Sequence, residues 1–250
     1  MGVLARRPLP GYAIEPGLHT IGPLVDGTRQ GGYSRAYLLE DGDRLTLVDT
    51  LFDTDAFMII EYLLRIGRSV HELTDIVLTH AHRSHLGGLA RLKRLSGATV
   101  WAHDREADII AGRAHAKPVH LLPFQPLVLY PFRLLSYVNR PKHDPCEVDR
   151  RLGEGDAVGT LKVLHVPGHT PGHLAFLWRD RALFVGDAIL TWPTFGAGWP
   201  GFNLDEHEYR RSLQRLVDLR PAIVGPGHGP PLSGDGISDR LMTLCPQPLG

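Results

Sequence analysis

Three histidines within six residues could do chemistry in this 250-residue chain: His80, His82 and His85, in Thr79-His80-Ala81-His82-Arg83-Ser84-His85. The run before them, Asp75-Ile76-Val77-Leu78, is short, apolar and β-branched, which marks it as a buried strand. The histidines therefore stand on the loop leaving a strand's C-terminal end, where a rigid scaffold presents side chains to a cleft. Neutral imidazole is the commonest metal-binding side chain, and neighbouring imidazoles on a bent loop can converge on one ion. A single pair would carry little weight among the 14 histidines of the chain, but three at this spacing point to a metal.

Matching partners lie further along. His169 sits in Val166-Pro167-Gly168-His169-Thr170-Pro171-Gly172-His173, Asp187 in Phe184-Val185-Gly186-Asp187-Ala188, and His228 in Gly225-Pro226-Gly227-His228-Gly229. Each follows an apolar, strand-like run, so four loops are expected to meet at one end of a sheet sandwich. In order and context these motifs resemble the metallo-β-lactamase-fold hydrolases, whose signature is H-x-H-x-D-H followed by a distant His, Asp and His. The resemblance runs from about Leu18 to Leu232, and its motifs are specific. Ser84 stands where that family has aspartate.

The resemblance implies an α/β protein, an αββα sandwich of two mixed β-sheets flanked by helices. It implies that His80, His82 and His169 bind a first metal and that Asp187 bridges to a second, completed by His85 and His228. Zinc is the implied occupant, one or two ions per chain, with iron or manganese as alternatives. Asp187 and Ser84 are the candidate catalytic residues, and Asp49 takes the family position that supports the metal loop from behind. A serine hydroxyl is a poor ligand for a divalent ion, so the second site is expected to be weakened. The implied activity is hydrolysis of an ester, thioester, lactone or amide-like carbonyl through a metal-bound hydroxide. A mononuclear iron sulfur dioxygenase of the same fold and a catalytically weakened metal-binding protein remain alternatives. Arg83, inside the motif, is a candidate to attract an anionic substrate group, with a solvated loop arginine as the plainer reading.

The elements that must hold these loops are legible as patterns. Leu18–Ile21, Arg35–Leu39 and Arg44–Val48 read as strands, with Glu40-Asp41-Gly42-Asp43 as a hairpin turn. Residues Thr54–Ile66 carry apolar positions at helical spacing, with Asp53 or Thr54 as the cap and Gly67 as the stop. Helices are also expected over Leu86–Leu95, from Asp104 to Ala111, and over Asp205–Leu219, where Pro221 stops the last. Leu161–Val166, Leu174–Trp178, Ala182–Val185 and Ala222–Val224 read as the strands of a second half. Between the halves, about residues 112–148, six prolines interrupt an apolar and aromatic run. This insertion is expected to cap the cleft or form a dimer face, with Tyr130 and Phe132 as candidate substrate-binding residues, or else simply to bury the edge of the sandwich.

Composition narrows the function. Twenty-seven basic and 27 acidic residues give a formal net charge of zero, so the whole chain offers no electrostatic case for nucleic acid or an anionic membrane. A small-molecule substrate is the expected partner. Two cysteines, Cys146 and Cys245, are too few for a disulfide framework. Residues Met1–Pro10 show no apolar stretch of the secretory kind, and no run approaches a membrane span, so a cytoplasmic location is expected. Residues 1–250 are expected to form one domain; the 22 residues after His228 leave no room for the added C-terminal domain of a hydroxyacylglutathione hydrolase.

Overall fold

The computed structural model of the protein describes residues 10–23, 33–116, 143–199 and 201–245. Among them, seven strands form a first sheet in chain order: β1 (Gly11–Glu15), β2 (Leu18–Ile21), β3 (Ala36–Asp41), β4 (Arg44–Val48), β5 (Asp75–Val77), β6 (Thr99–His103) and β7 (Arg150–Leu152). Pairing is antiparallel from β1 to β4 and parallel from β4 to β7. The second sheet holds β8 (Ala157–Val158), β9 (Leu161–His165), β10 (Leu174–Trp178), β11 (Ala182–Gly186), β12 (Ile223–Pro226) and β13 (Leu232–Ser233). Only its β11–β12 pair is parallel. Both sheets are thus mixed.

Alternation along the strands separates three apolar layers, because successive side chains leave a strand on opposite faces. In β3, Tyr37 and Leu39 enter the core between the sheets, where they meet Phe176, Trp178 and Phe184. Leu38 faces the other way, into a core with Ile59 and Leu63 of α1 (Phe57–Arg65) and Leu89 and Leu92 of α3 (Leu89–Ser96). In β10, Ala175 and Leu177 face a third core, closed by Tyr209, Leu213 and Leu216 of α5 (Glu206–Asp218) and by Leu241 of α6 (Ile237–Met242). Helix, sheet, sheet, helix is the expected αββα sandwich.

Local hydrogen bonds moved two helix boundaries from their expected places. Neither Asp53 nor Thr54 caps α1: Ala56 precedes it at φ 53°, and Asp55 Oδ1 accepts from the Phe57 amide at 3.1 Å. The expected helix from Leu86 to Leu95 is instead two, α2 (Arg83–Leu86) and α3. The Gly87 and Gly88 amides leave the helical ladder for the carbonyls of Leu51 (2.7 Å) and Thr50 (3.0 Å). That break docks His85 against the loop after β4. Residues 179–181 join β10 to β11, with Trp178 opposite Ala182; Arg179 and Asp180 both stand at φ 51°, and the Arg181 amide donates to the Trp178 carbonyl at 2.9 Å.

Most of the proline-rich insertion, with Tyr130 and Phe132, lies outside the described residues. Its described flank is tied down: the Cys146 amide donates to the Ile110 carbonyl of α4 (Asp104–Ile110) at 3.1 Å. Both cysteines are free thiols. Among the described residues, no helix is long and apolar enough to cross a membrane.

Candidate metal centre

The loops that follow β5, β9, β11 and β12 carry the motif residues, and they bring six ligating side chains into two overlapping clusters. The first holds His80, His82, His169 and Asp187; the second holds His85, Asp187 and His228. Within each cluster the ligand atoms lie within 4.8 Å of one another. His82 Nδ1 stands 3.0 Å from His80 Nε2 and 3.1 Å from His169 Nε2. Asp187 divides its carboxylate between the clusters. Oδ2 lies 3.8 Å from His80 Nε2 and 3.5 Å from His169 Nε2, while Oδ1 lies 3.2 Å from His85 Nε2 and 3.5 Å from His228 Nε2.

Hydrogen bonds behind the imidazoles decide which nitrogen faces inward. Thr79 Oγ1 donates to Asp49 Oδ2 at 2.8 Å and so accepts from His80 Nδ1 at 3.0 Å, leaving the His80 lone pair on Nε2. His85 Nδ1 donates to the same Asp49 oxygen at 2.8 Å, again leaving Nε2 for the cluster. Asn203 Oδ1 faces His169 Nδ1 at 3.4 Å, with its amide nitrogen given to Glu206 at 3.0 Å. Asp49 also accepts the Thr79 amide at 2.8 Å, so one carboxylate orients a ligand of each cluster. It does so from a left-handed backbone (φ 60°), a sparsely populated conformation that the surrounding contacts must hold.

Burial keeps the first cluster neutral. It pushes His82 down to about 4, and His80 and His169 well below the usual imidazole range, with neighbouring imidazoles adding to the effect. Neutral nitrogen is the form that binds metal. In the second cluster burial also opposes charge on His85, but the Asp187 and Asp49 carboxylates outweigh it and raise that imidazole to about 10. Asp187 is likewise desolvated, yet the imidazoles of His228 and His85 hold it well below the carboxylate range.

A divalent metal fits these donors, and two buried atoms argue for it. His85 Nε2 and Asp187 Oδ1 have no hydrogen-bond partner, although only 3.2 Å separates them. In the metal-free chain the two meet as an ion pair without good hydrogen-bond geometry, and a metal between them would satisfy both. The His228 loop is shaped to the same end. A Cβ on Gly227 would lie 2.4 Å from Asp187 Oδ1 and 2.7 Å from His85 Cε1, so only glycine lets this backbone pass. Arg35 pins the loop from outside, its amide donating to Gly227 O at 2.8 Å and its Nε to Gly229 O at 3.2 Å.

Ser84 lies half-buried in α2 between Arg83 and His85. Arg83 packs its guanidinium 4.4 Å over the Phe52 ring and donates to the Phe52 carbonyl, with Asp144 and Asp53 favouring its charge against burial. These contacts fix the guanidinium against the loop after β4. Asn203, His173 and Trp199 carried no sequence signal as site residues, because their neighbours come from distant segments. His173 is fully buried and accepts the Asp187 amide on Nε2 at 3.3 Å. The Trp199 ring lies 4.9 Å from that of His228, within a half-buried aromatic row that runs from Phe202 through Trp199 and Trp192 to Tyr33.

Asp49→Asn is expected to weaken metal binding at both clusters by roughly 10–100-fold, the usual cost of losing a partner behind the ligands. An amide offers one acceptor where the carboxylate takes three hydrogen bonds. Equilibrium metal titration checks this, and unchanged affinities would refute the role.

A family model described as the metallo-beta-lactamase superfamily matches residues 29–228. The chain is 31% identical over 218 residues to a Beta-lactamase-like protein 2 homolog of Caenorhabditis elegans, covering 85% of this chain and 59% of that one. It is 32% identical over 165 residues to a hydroxyacylglutathione hydrolase of Shewanella baltica (strain OS185), covering 66% of this chain and 49% of that one. The chain therefore spans roughly half to three fifths of these relatives' length. Among solved structures, TTHA1623 in a di-iron-bound form is 27% identical with a TM-score of 0.63, covering 90% of this chain and 99% of that one.

Proposed function

The chain belongs to the metallo-β-lactamase superfamily, and on that premise we propose that it is a metal-dependent hydrolase of ester, thioester, lactone or amide-like carbonyls. The observation that carries the reading is Asp187, whose two oxygens face two separate sets of imidazole nitrogens, one oxygen without a hydrogen bond. His80, His82, His169 and Asp187 would hold the first ion, and His85, Asp187 and His228 a second. The donor set of neutral imidazoles with few carboxylates suits zinc. Bound there, a divalent metal supplies Lewis acidity that polarises a carbonyl oxygen and brings a water's pKa towards about 7.

The remaining work falls to the chain. Asp49 and Asn203 hold the imidazole tautomers, so no reorganisation is needed during turnover. Asp187 fixes the spacing of the two clusters and places anionic charge between them. Ser84 can exchange hydrogen bonds but cannot take up a net proton at neutral pH, so this chain would move protons less readily than one with aspartate there. The aromatic row of Trp199, Phe202, Trp192 and Tyr33 leads away from His228 and offers an apolar surface to a planar or acyl part of the substrate. A single domain over residues 1–250 acting on a small molecule, as a monomer or paired with a second copy, is consistent with this reading.

Metal quantification on protein purified without added metal, followed by a panel of esters, thioesters and lactones, tests the proposal. Metal-free protein that takes up no divalent ion refutes it. The di-iron state of TTHA1623 keeps an iron-dependent activity as the second reading; iron as the native metal, with oxygen consumption in place of hydrolysis, would favour that one. Trp199→Ala is expected to raise KM for aromatic esters about tenfold, equivalent to ~1.4 kcal/mol of lost ring contact, with metal content unchanged. An equal effect on acetyl and aromatic esters would count against the aromatic subsite.

A further inference from the structure

Glu106 is 1% exposed, on the first turn of α4, and it touches none of the six candidate ligand side chains through the hydrogen bonds it makes. Its two oxygens serve two different loops. Oε2 accepts from the Ala81 amide at 3.0 Å, and Oε1 accepts from the Gly172 amide at 2.8 Å. Ala81 is the single residue between His80 and His82. Gly172 lies between His169 and His173, on the loop joining β9 to β10. The first loop leaves the seven-stranded sheet and the second belongs to the six-stranded one, so a single carboxylate fastens the two halves of the sandwich where the three imidazoles of the first cluster must meet. Among the described residues no lysine or arginine pairs with it. A buried carboxylate without a cation is expensive, and two charge-assisted backbone bonds are the compensation it finds.

The contact is shaped closely on both sides. A Cβ on Gly172 would fall 2.7 Å from Glu106 Cγ and 2.8 Å from Oε1, so the glycine is what lets the carboxylate reach that amide. Ala81 and Gly172 are held through their backbones, which leaves the imidazoles free to turn inward. Fixing Ala81 fixes the peptide link between His80 and His82, whose facing nitrogens are 3.0 Å apart, and fixing Gly172 sets how closely His169 approaches them.

We propose that Glu106 is a positioning residue for the first metal cluster, setting its affinity and geometry by clamping the His80–His82 loop to the His169 loop. The proposal rests on the metal-centre reading above. A carboxylate is required because both oxygens must accept; the amide of Glu106→Gln turns its NH2 group towards one of the two backbone N–H donors and breaks that bond. Glu106→Gln is therefore expected to lower first-site affinity by roughly 10–100-fold and to reduce kcat more than KM. Gly172→Ala, which displaces the carboxylate without altering it, is expected to act in the same direction.

The test is equilibrium titration of the metal-free parent, Glu106→Gln and Gly172→Ala with zinc, together with visible absorption of the cobalt(II)-substituted proteins. Expected are weakened zinc binding and altered cobalt ligand-field bands in both variants, with far-UV circular dichroism as in the parent. A folded Glu106→Gln that binds zinc as tightly as the parent, with the parent's cobalt spectrum, overturns the proposal and leaves the hydrolase reading standing. A parent that binds neither metal overturns both. If Glu106→Gln does not fold, parental zinc affinity and cobalt bands in Gly172→Ala overturn it alone.

Discussion

Replacing His82 or His169 by alanine is expected to strip the first cluster of its metal, with a loss exceeding the roughly 10–100-fold that follows removal of a partner behind the ligands. His82 Nδ1 is the atom on which the cluster closes, 3.0 Å from His80 Nε2 and 3.1 Å from His169 Nε2. Without it two imidazoles and one shared carboxylate oxygen remain. His82 is also half-buried on a loop, so its removal leaves the apolar cores untouched. Two measurements check the expectation. Metal content after dialysis should fall, and the thermal stabilisation that added zinc gives the parent should vanish; at a hundredfold excess over Kd that increment is about 2.7 kcal/mol. Undiminished metal in both variants would reject the assignment of the first cluster.

Ser84→Asp is expected to do the reverse at the second cluster, raising metal content towards two per chain and tightening the second ion at least about tenfold. As it stands, that cluster offers one carboxylate, Asp187, shared with the first, alongside the two imidazoles. The half-buried position of Ser84 leaves a carboxylate partly hydrated, which limits its desolvation cost. The added charge will also hold the His85 proton more firmly, and the two effects compete. A divalent ion gains about twice what a proton gains from the same carboxylate at the same distance, so metal should win.

That competition sets the pH dependence. With its pKa raised to about 10, His85 of the metal-free chain holds a second proton, on Nε2, at neutral pH, and uptake of the second ion there must displace it. Second-site affinity should accordingly climb by about tenfold per pH unit towards pH 10 and weaken as pH falls. Zinc titrations of parent and variant across this range provide the measurement; identical stoichiometry and affinity would sink the role given to the serine.

By itself the sequence determined which six candidate ligand side chains come together, and the layering. Three histidines beside a β-branched run, and His169, Asp187 and His228 after later apolar runs, are local patterns that need no tertiary contact to be recognised. So is the alternation that sends Leu38 and its neighbours Tyr37 and Leu39 to different cores, because a strand's period of two is written into each short segment. Tertiary structure alone decided what stands behind the ligands. Glu106 reads as an ordinary first-turn acid until Ala81 and Gly172, 25 residues before it and 66 after, are seen to donate to its two oxygens. Asn203 and Trp199 likewise gain meaning only from His169 and His228. That Arg83, beside two candidate ligands in sequence, packs over Phe52 is likewise a tertiary fact. Which polar atom meets which backbone amide depends on how separate segments pack, since hydrogen bonds reach only about 3 Å while no local periodicity records the partner.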